Sequence, residues 1–244
     1  MIPPEAAEGA PNRQRLAEVV AEQIEREILT QGWPVGHVIG SEGELIERME
    51  VSRAVFREAV RIVEHHNLAR MRRGPGGGLI VAEPDSAAVQ RAVAVYLSFA
   101  GVERQQLFQT RIALELACAT QAAERITEAG VEKLRQVLAL EESLQEEAIS
   151  TGHSHDLHVV IAELTGNPAM TLFVRVLTEL TLQRQRPATD MRKEVASYHR
   201  AHEALAEAVI AGDPALAQHR MRRHLDALAA LVGEGPGEGV LRPR

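Results

Sequence analysis

The tightest constraint on this chain lies between residues 41 and 63, where two capped, apolar-periodic segments are separated by little more than a turn. Ser41-Glu42-Gly43-Glu44 has the capping-box form, in which hydroxyl and carboxylate satisfy each other's exposed backbone N–H groups, and Leu45, Ile46 and Met49 supply the apolar face after it. Ser52 is placed to cap the next helix, one side of which carries Val55, Phe56, Ala59, Ile62 and Val63. Upstream, Leu16, Val19, Val20, Ile24 and Ile28 recur at helical spacing and stop at the Gly32-Trp33-Pro34 breaker. Downstream, Leu68–Arg73 and Leu79–Ala82 flank a Gly/Pro turn and predict a β-hairpin. The order is helix, helix, short turn, helix and hairpin wing, a winged helix-turn-helix over residues 14–83.

Beyond residue 85 the pattern is helical. Aromatic residues make up only 3% of the chain, against 45% hydrophobic and 25% charged, and the abundant residues lose little entropy in a helix. Helices are predicted at about 86–100, 104–124, 128–150, 153–165, 168–185, 191–211 and 214–232. Gly166-Asn167-Pro168 and Gly212-Asp213-Pro214 each set Gly beyond one helix end and Pro in the first turn of the next. The expected fold class is therefore mainly α: the winged unit, then an all-α antiparallel bundle of six to seven helices over residues 86–232. Residues 1–13 and the Gly/Pro-rich stretch 233–244 are expected to be disordered tails. No apolar run suits a membrane span or a signal peptide, so a cytoplasmic location and no membrane partner are expected. Cys118, the single cysteine, sits between alanines in a helical pattern and is expected to be a buried, inert thiol.

A net charge of −7 argues against a nucleic-acid partner until its distribution is considered. Between Arg48 and Arg73 there are seven Arg and three Glu, so a basic island sits in an acidic chain. Arg53, Arg57 and Arg61 are spaced four apart and drift only about 40° per step around a helix axis, forming one stripe opposite the apolar side. An exposed basic helix after a short turn suits the major groove of double-stranded DNA, where each Arg has either a guanine edge or a phosphate open to it. The plainer alternative is a solvated helix face with Glu58 paired to a neighbouring Arg. Arg70, Arg72 and Arg73 beside the glycine-rich turn favour the DNA reading, and no Lys-Ser/Thr comes after that turn to suggest a nucleotide-phosphate loop.

Three further residues stand out in the helical half. His158, His202 and His224 each share an apolar stripe on a separate predicted helix, with Ile161 and Leu164, with Leu205 and Val209, and with Met221 and Leu225. Three imidazoles converging in a bundle could hold a divalent metal, although a single such His is more often a hydrogen-bonded core residue. His153, His155, His199 and His219 are expected at the surface or behind the first three. A metal-dependent enzyme in which this site activates water is the alternative function, with no HExxH pair or nucleophile elbow to support it.

Glu42-x-Glu44-Leu45, the run Val51-Ser52-Arg53-Ala54-Val55-Phe56-Arg57-Glu58-Ala59-Val60 and the Gly-rich wing together resemble the GntR family of transcription regulators. The resemblance implies DNA contacts from Ser52, Arg53 and Arg57, from Arg48 or Ser41, and from the wing around Arg73 to Gly76. Ile39-Gly40-Ser41-Glu42 departs from the Leu-Pro-Ser-Glu common in that family, and Gly43 replaces a phosphate-binding Arg. Arg111-x-x-x-Glu115, His158 ahead of Asn167-Pro168, His202 ahead of Gly212-Asp213 and Met221-x-x-His224 resemble the FCD sensing domain of the FadR subfamily. That resemblance implies His158, His202 and His224 as metal ligands, zinc first with nickel or manganese behind, joined by an Asp where this chain has Ser154. Three His plus water, recruitment of His155 or Asp156, and a metal-free site all stay open. Arg111 is implied as an effector contact for a small carboxylate, its alternative being an ion pair with Glu115. The resemblance further implies a homodimeric, ligand-modulated repressor on a near-palindromic operator.

Overall fold

A computed structural model describes residues 9–74, 76–144, 156–182 and 191–233. The chain divides into two compact units, Met1–Ala88 and Val89–Arg244.

The first unit holds α1 (Gly9–Thr30), β1 (Val38–Gly40), α2 (Glu42–Arg48), α3 (Arg53–His65), β2 (Ala69–Arg72) and β3 (Gly78–Val81). Both predicted caps form: Ser41 Oγ accepts from Glu44 N and Glu44 Oε2 from Ser41 N, and Ser52 Oγ accepts from Val55 N at 3.3 Å. The same bonds hold the Glu44 carboxyl below its usual pKa. The core joins Ile24 and Ile28 of α1, Leu45 of α2, Phe56, Ala59 and Val63 of α3, and Leu79 of β3.

The structure corrects two expectations. Leu16 and Val19 are not on the buried face, being 43% and 52% exposed; the stripe is Ala17, Val20, Ala21, Ile24 and Ile28. Small alanines at 17 and 21 let α3 approach, so the inward face reflects close packing rather than side-chain size. The tail expected through residue 13 ends earlier, because α1 begins at Gly9; Pro11 falls in its first turn, where a missing N–H costs nothing. Residues 1–8 and 234–244 of the expected tails lie outside the described residues, and Gly233 closes α10 (Pro214–Gly233). The predicted wing hairpin forms as β2 and β3, and β1 adds a third strand on the β3 edge, giving an antiparallel sheet in the order β1-β3-β2. β1 is only three residues and ends on Gly40, too short for a period-two pattern to be legible.

The β1–β3 pairing depends on Gly78. Its φ of +149° lies where L side chains rarely sit, and a Cβ there would run into the Gly40 carbonyl oxygen and lie 3.0 Å from Val38 Cγ1. Gly78→Ala is expected to destabilise the winged unit by about 2 kcal/mol or more, read as a lower urea midpoint. A midpoint equal to that of the unaltered chain would contradict this packing.

The remaining helices are α4 (Ser86–Phe99), α5 (Arg104–Glu124), α6 (Glu128–Leu144), α7 (Asp156–Leu164), α8 (Pro168–Leu182), α9 (Met191–Ile210) and α10. With α1–α3 they make ten helices among the described residues. α5 packs against α7, α8, α9 and α10, so one helix contributes to most of the core of this unit. That core gathers Leu116, Ala119, Leu134, Leu157, Ile161, Leu205, Met221 and Leu225. Cys118 lies in it, 1% exposed, and burial pushes its thiol pKa up to about 12, which makes it unreactive at neutral pH. No described helix is long and apolar enough to cross a membrane.

Candidate DNA-reading face and buried histidine centre

On the winged unit, α3 turns Val55, Phe56, Ala59 and Val63 inward, and the register of the helix then carries Arg53, Arg57 and Arg61 outward. Their side chains are 70%, 63% and 74% exposed. Each has an acidic neighbour: Arg57 Nε donates to Glu42 Oε1 at 3.0 Å, Arg53 Nε lies 3.8 Å from the same oxygen, and Arg61 donates to Glu58 at 2.8 Å. Arg48 similarly pairs with Glu27 at 2.8 Å. Exposed pairs of this kind are worth only about 0–1 kcal/mol, so a phosphate can displace the carboxylate at little cost. Ser41 and Ser52 use an oxygen lone pair in capping, which leaves each hydroxyl hydrogen to donate. In the wing, Arg72 donates to the Gly76 carbonyl at 2.9 Å and bridges the turn, while Arg70 and Arg73 are exposed. Glu64 accepts from Met71 N, tying α3 to β2.

The helical unit brings His158 of α7, His202 of α9 and His224 of α10 together. They are 1%, 0% and 5% exposed, and one ligand atom from each lies within 4.8 Å of the others. His158 Nε2 is 3.1 Å and His202 Nε2 3.2 Å from His224 Nε2. Behind them stand two buried carboxylates. His158 Nδ1 bonds Glu115 Oε2, and His202 Nδ1 bonds Glu141 at 2.9 and 3.0 Å. Each carboxylate accepts a proton-bearing Nδ1, which fixes the tautomer and leaves Nε2 of both rings as a lone pair aimed at the centre. His224 Nε2 can donate to only one of them. A cation among the three nitrogens satisfies all the lone pairs at once, so the donor set fits a divalent metal.

Burial, first of all, holds the pKa of His158 well below the usual imidazole value, with Arg111 and His202 adding to the effect. His224 is lowered well below it by burial, then by His202 and His158, against a raising contribution from Glu115. Neutral rings are the form that binds metal. Below about pH 6.5 the unfolded chain takes up protons that these buried rings refuse, so the metal-free protein is expected to lose stability as pH falls from 7 toward 5. Urea midpoints at several pH values check this, and the double variant His158→Gln, His224→Gln is expected to show a flatter acid limb. An equally steep limb in the variant would assign the slope to other groups.

Arg111, 1% exposed, bonds Glu115 through Nε at 2.5 Å and Thr181 Oγ1 through Nη1 at 2.9 Å. The intrahelical pair is therefore present, and through Glu115 it joins Arg111 to His158. Ser154, His153 and His155 lie outside the described residues; Asp156 begins α7. His219 is exposed, and half-buried His199 lies 3.8 Å from Glu141. The structural parts missed from sequence are Glu141 and the role of Glu115 behind His158. Glu141 comes after Leu134 and Val137 on the buried stripe of α6, and a carboxylate on an apolar stripe was the available signal.

Comparison with known proteins agrees with both halves. Residues 16–78 match the model of bacterial regulatory proteins of the gntR family, and residues 106–227 match the FCD domain model. The HTH-type transcriptional repressor NanR of Enterobacter sp. (strain 638) is 28% identical over 89% of this chain and 85% of its own length. The NanR of Escherichia coli (strain K12 / DH10B) is 26% identical over 89% of this chain and 84% of its length. Among solved structures, a Streptococcus agalactiae GntR superposes with a TM-score of 0.62 at 23% identity, covering 88% of this chain and 99% of the other, a likeness of fold. The family consists of regulators, which removes the hydrolytic reading of the three-histidine site. This chain belongs to the GntR family of bacterial regulatory proteins, a DNA-binding transcription regulator whose C-terminal FCD domain takes a small-molecule effector.

Proposed function

We propose that this protein is a homodimeric cytoplasmic repressor that grips a near-palindromic operator and is released by a small organic acid bound in the FCD domain. The observation that carries the DNA half is the exposure of Arg53, Arg57 and Arg61 along one edge of a helix backed by its own core. Those three read or grip DNA from the major groove, Ser52, Ser41 and Arg48 position the unit on phosphates, and Arg73 and Gly76 of the wing reach the adjacent backbone. The curated relatives named above are repressors, which supports the sign of regulation. A second copy has an apolar edge of α4 to cover, where Tyr96 and Phe99 are 69% and 88% exposed. Two-fold pairing of two such chains would require an operator with matching symmetry.

In the FCD domain, His158, His202 and His224 hold zinc, with nickel or manganese as substitutes, because neutral nitrogen donors backed by carboxylates suit zinc best. The metal supplies a Lewis-acidic anchor for a carboxylate. Arg111, whose charge offsets the Glu115 carboxylate behind the ligands, is the further proposed contact for an anionic effector. Gel-shift assays on DNA upstream of the chain's own gene test the proposal. A retarded complex containing two chains per site, dissolved by a small carboxylic acid, is the expected result; failure to retard any such DNA would overturn it.

A further inference from the structure

A groove of about 670 Å3 runs between α9 and α10 of the helical unit. Arg200, Arg220 and Arg223 line it together with Tyr198, His224 and Leu228, and no carboxylate is among the described residues that do so. Arg220 is already engaged: its Nη1 donates to the Ala204 carbonyl and lies 3.4 Å from Glu207, which braces α10 against α9. Arg200 and Arg223 are exposed, and neither bonds or pairs with another described residue. Arg200 and Arg223 thus leave two uncompensated positive charges along one groove, which an anion offsets.

The groove also leads to the histidine centre. Among the three histidines only His224 is a lining residue, and it is the most exposed at 5%, against 1% and 0% for the others. Tyr198 packs against both His224 and His202, with ring centroids 4.9 and 4.3 Å apart, so the groove wall and the centre share a side chain. A molecule lying in the groove therefore meets guanidinium donors and one ring of the histidine centre, His224.

We propose that Arg200 and Arg223 form a second anionic subsite, so that the effector is a small acid with at least two anionic groups, one at the histidine centre and another on this pair. The inference rests on the reading of the FCD domain as an acid sensor and adds the class of acid. Planar guanidinium forks match carboxylate and phosphate oxygens in pairs, which makes Arg the suitable residue for such a subsite.

Calorimetric titration of the zinc-supplemented full-length protein with lactate, malate and citrate tests it, because these α-hydroxy acids differ in carboxylate number. Citrate or malate is expected to bind about tenfold or more tightly than lactate, a conservative figure for a charge-assisted contact. The double variant Arg200→Gln, Arg223→Gln is expected to lose that margin while keeping lactate affinity, zinc stoichiometry and the ligand-free melting temperature. Equal affinities for the three acids, an unchanged citrate affinity in the variant, or no binding of any of them would overturn the subsite. Release of operator DNA by lactate and citrate alike, in both proteins, would remove the subsite and leave the acid-sensor reading standing. An absence of any effect of all three on melting or on DNA would count against both.

Discussion

Glu115→Ala is expected to destabilise the helical unit by about 3–5 kcal/mol, the usual cost of leaving one partner of a buried ion pair without the other. Arg111 and Glu115 are each 1% exposed, so water cannot replace the lost carboxylate. His158 loses its Nδ1 partner in the same step, because the second oxygen of Glu115 serves that ring. For a unit of this size the change corresponds to a melting temperature lower by roughly 10 °C. Replacing both charged residues, Arg111→Met with Glu115→Leu, is expected to recover part of the loss, since an apolar pair needs no counter-charge while His158 Nδ1 still lacks its acceptor. Thermal unfolding of the three proteins checks the order; a single variant as stable as the unaltered chain would contradict the burial of this pair.

The second large effect concerns the metal. Zinc at about 100 times its dissociation constant adds about 2.7 kcal/mol to the stability of a protein that binds it only when folded. The unaltered chain is expected to melt about 5–10 °C higher with zinc than after chelation. His202→Ala removes one of three donors and is expected to abolish nearly all of that shift. Glu141→Gln keeps all three imidazoles but weakens the acceptor that orients His202, and should cost about 10–100-fold in zinc affinity. Elemental analysis alongside melting curves reads both. A zinc shift that survives His202→Ala would place the metal elsewhere.

Local rules made the winged unit legible. Ser41 and Ser52 announce two helix starts, and four-residue spacing alone sets Arg53, Arg57 and Arg61 on one edge. The three histidines were also legible, because each falls on an apolar stripe of its own helix. What brings them within one ligand sphere is tertiary packing of α7, α9 and α10 around α5, which no window of sequence contains. Glu141 reaches His202 across 61 positions and Glu115 reaches His158 across 43, and pairings at that range have no local signature. The same limit hid β1, which pairs with β3 some forty residues on, and the groove that gathers Arg200 with Arg223. Leu16 and Val19 show the opposite failure. Large apolar residues on α1 drew the stripe one step away from Ala17 and Ala21, where close helix contact selects small side chains.

Binding of DNA by the outward edge of α3 can be read by fluorescence anisotropy with labelled upstream DNA over a range of salt. The unaltered protein should bind with an affinity that falls steeply as salt rises. Arg53→Ala with Arg57→Ala should weaken binding by at least about 30-fold, at ~1–3 kcal/mol per contact, and make the salt dependence shallower. Equal affinity and an equal salt slope for the two proteins would mean that this edge does not hold the duplex.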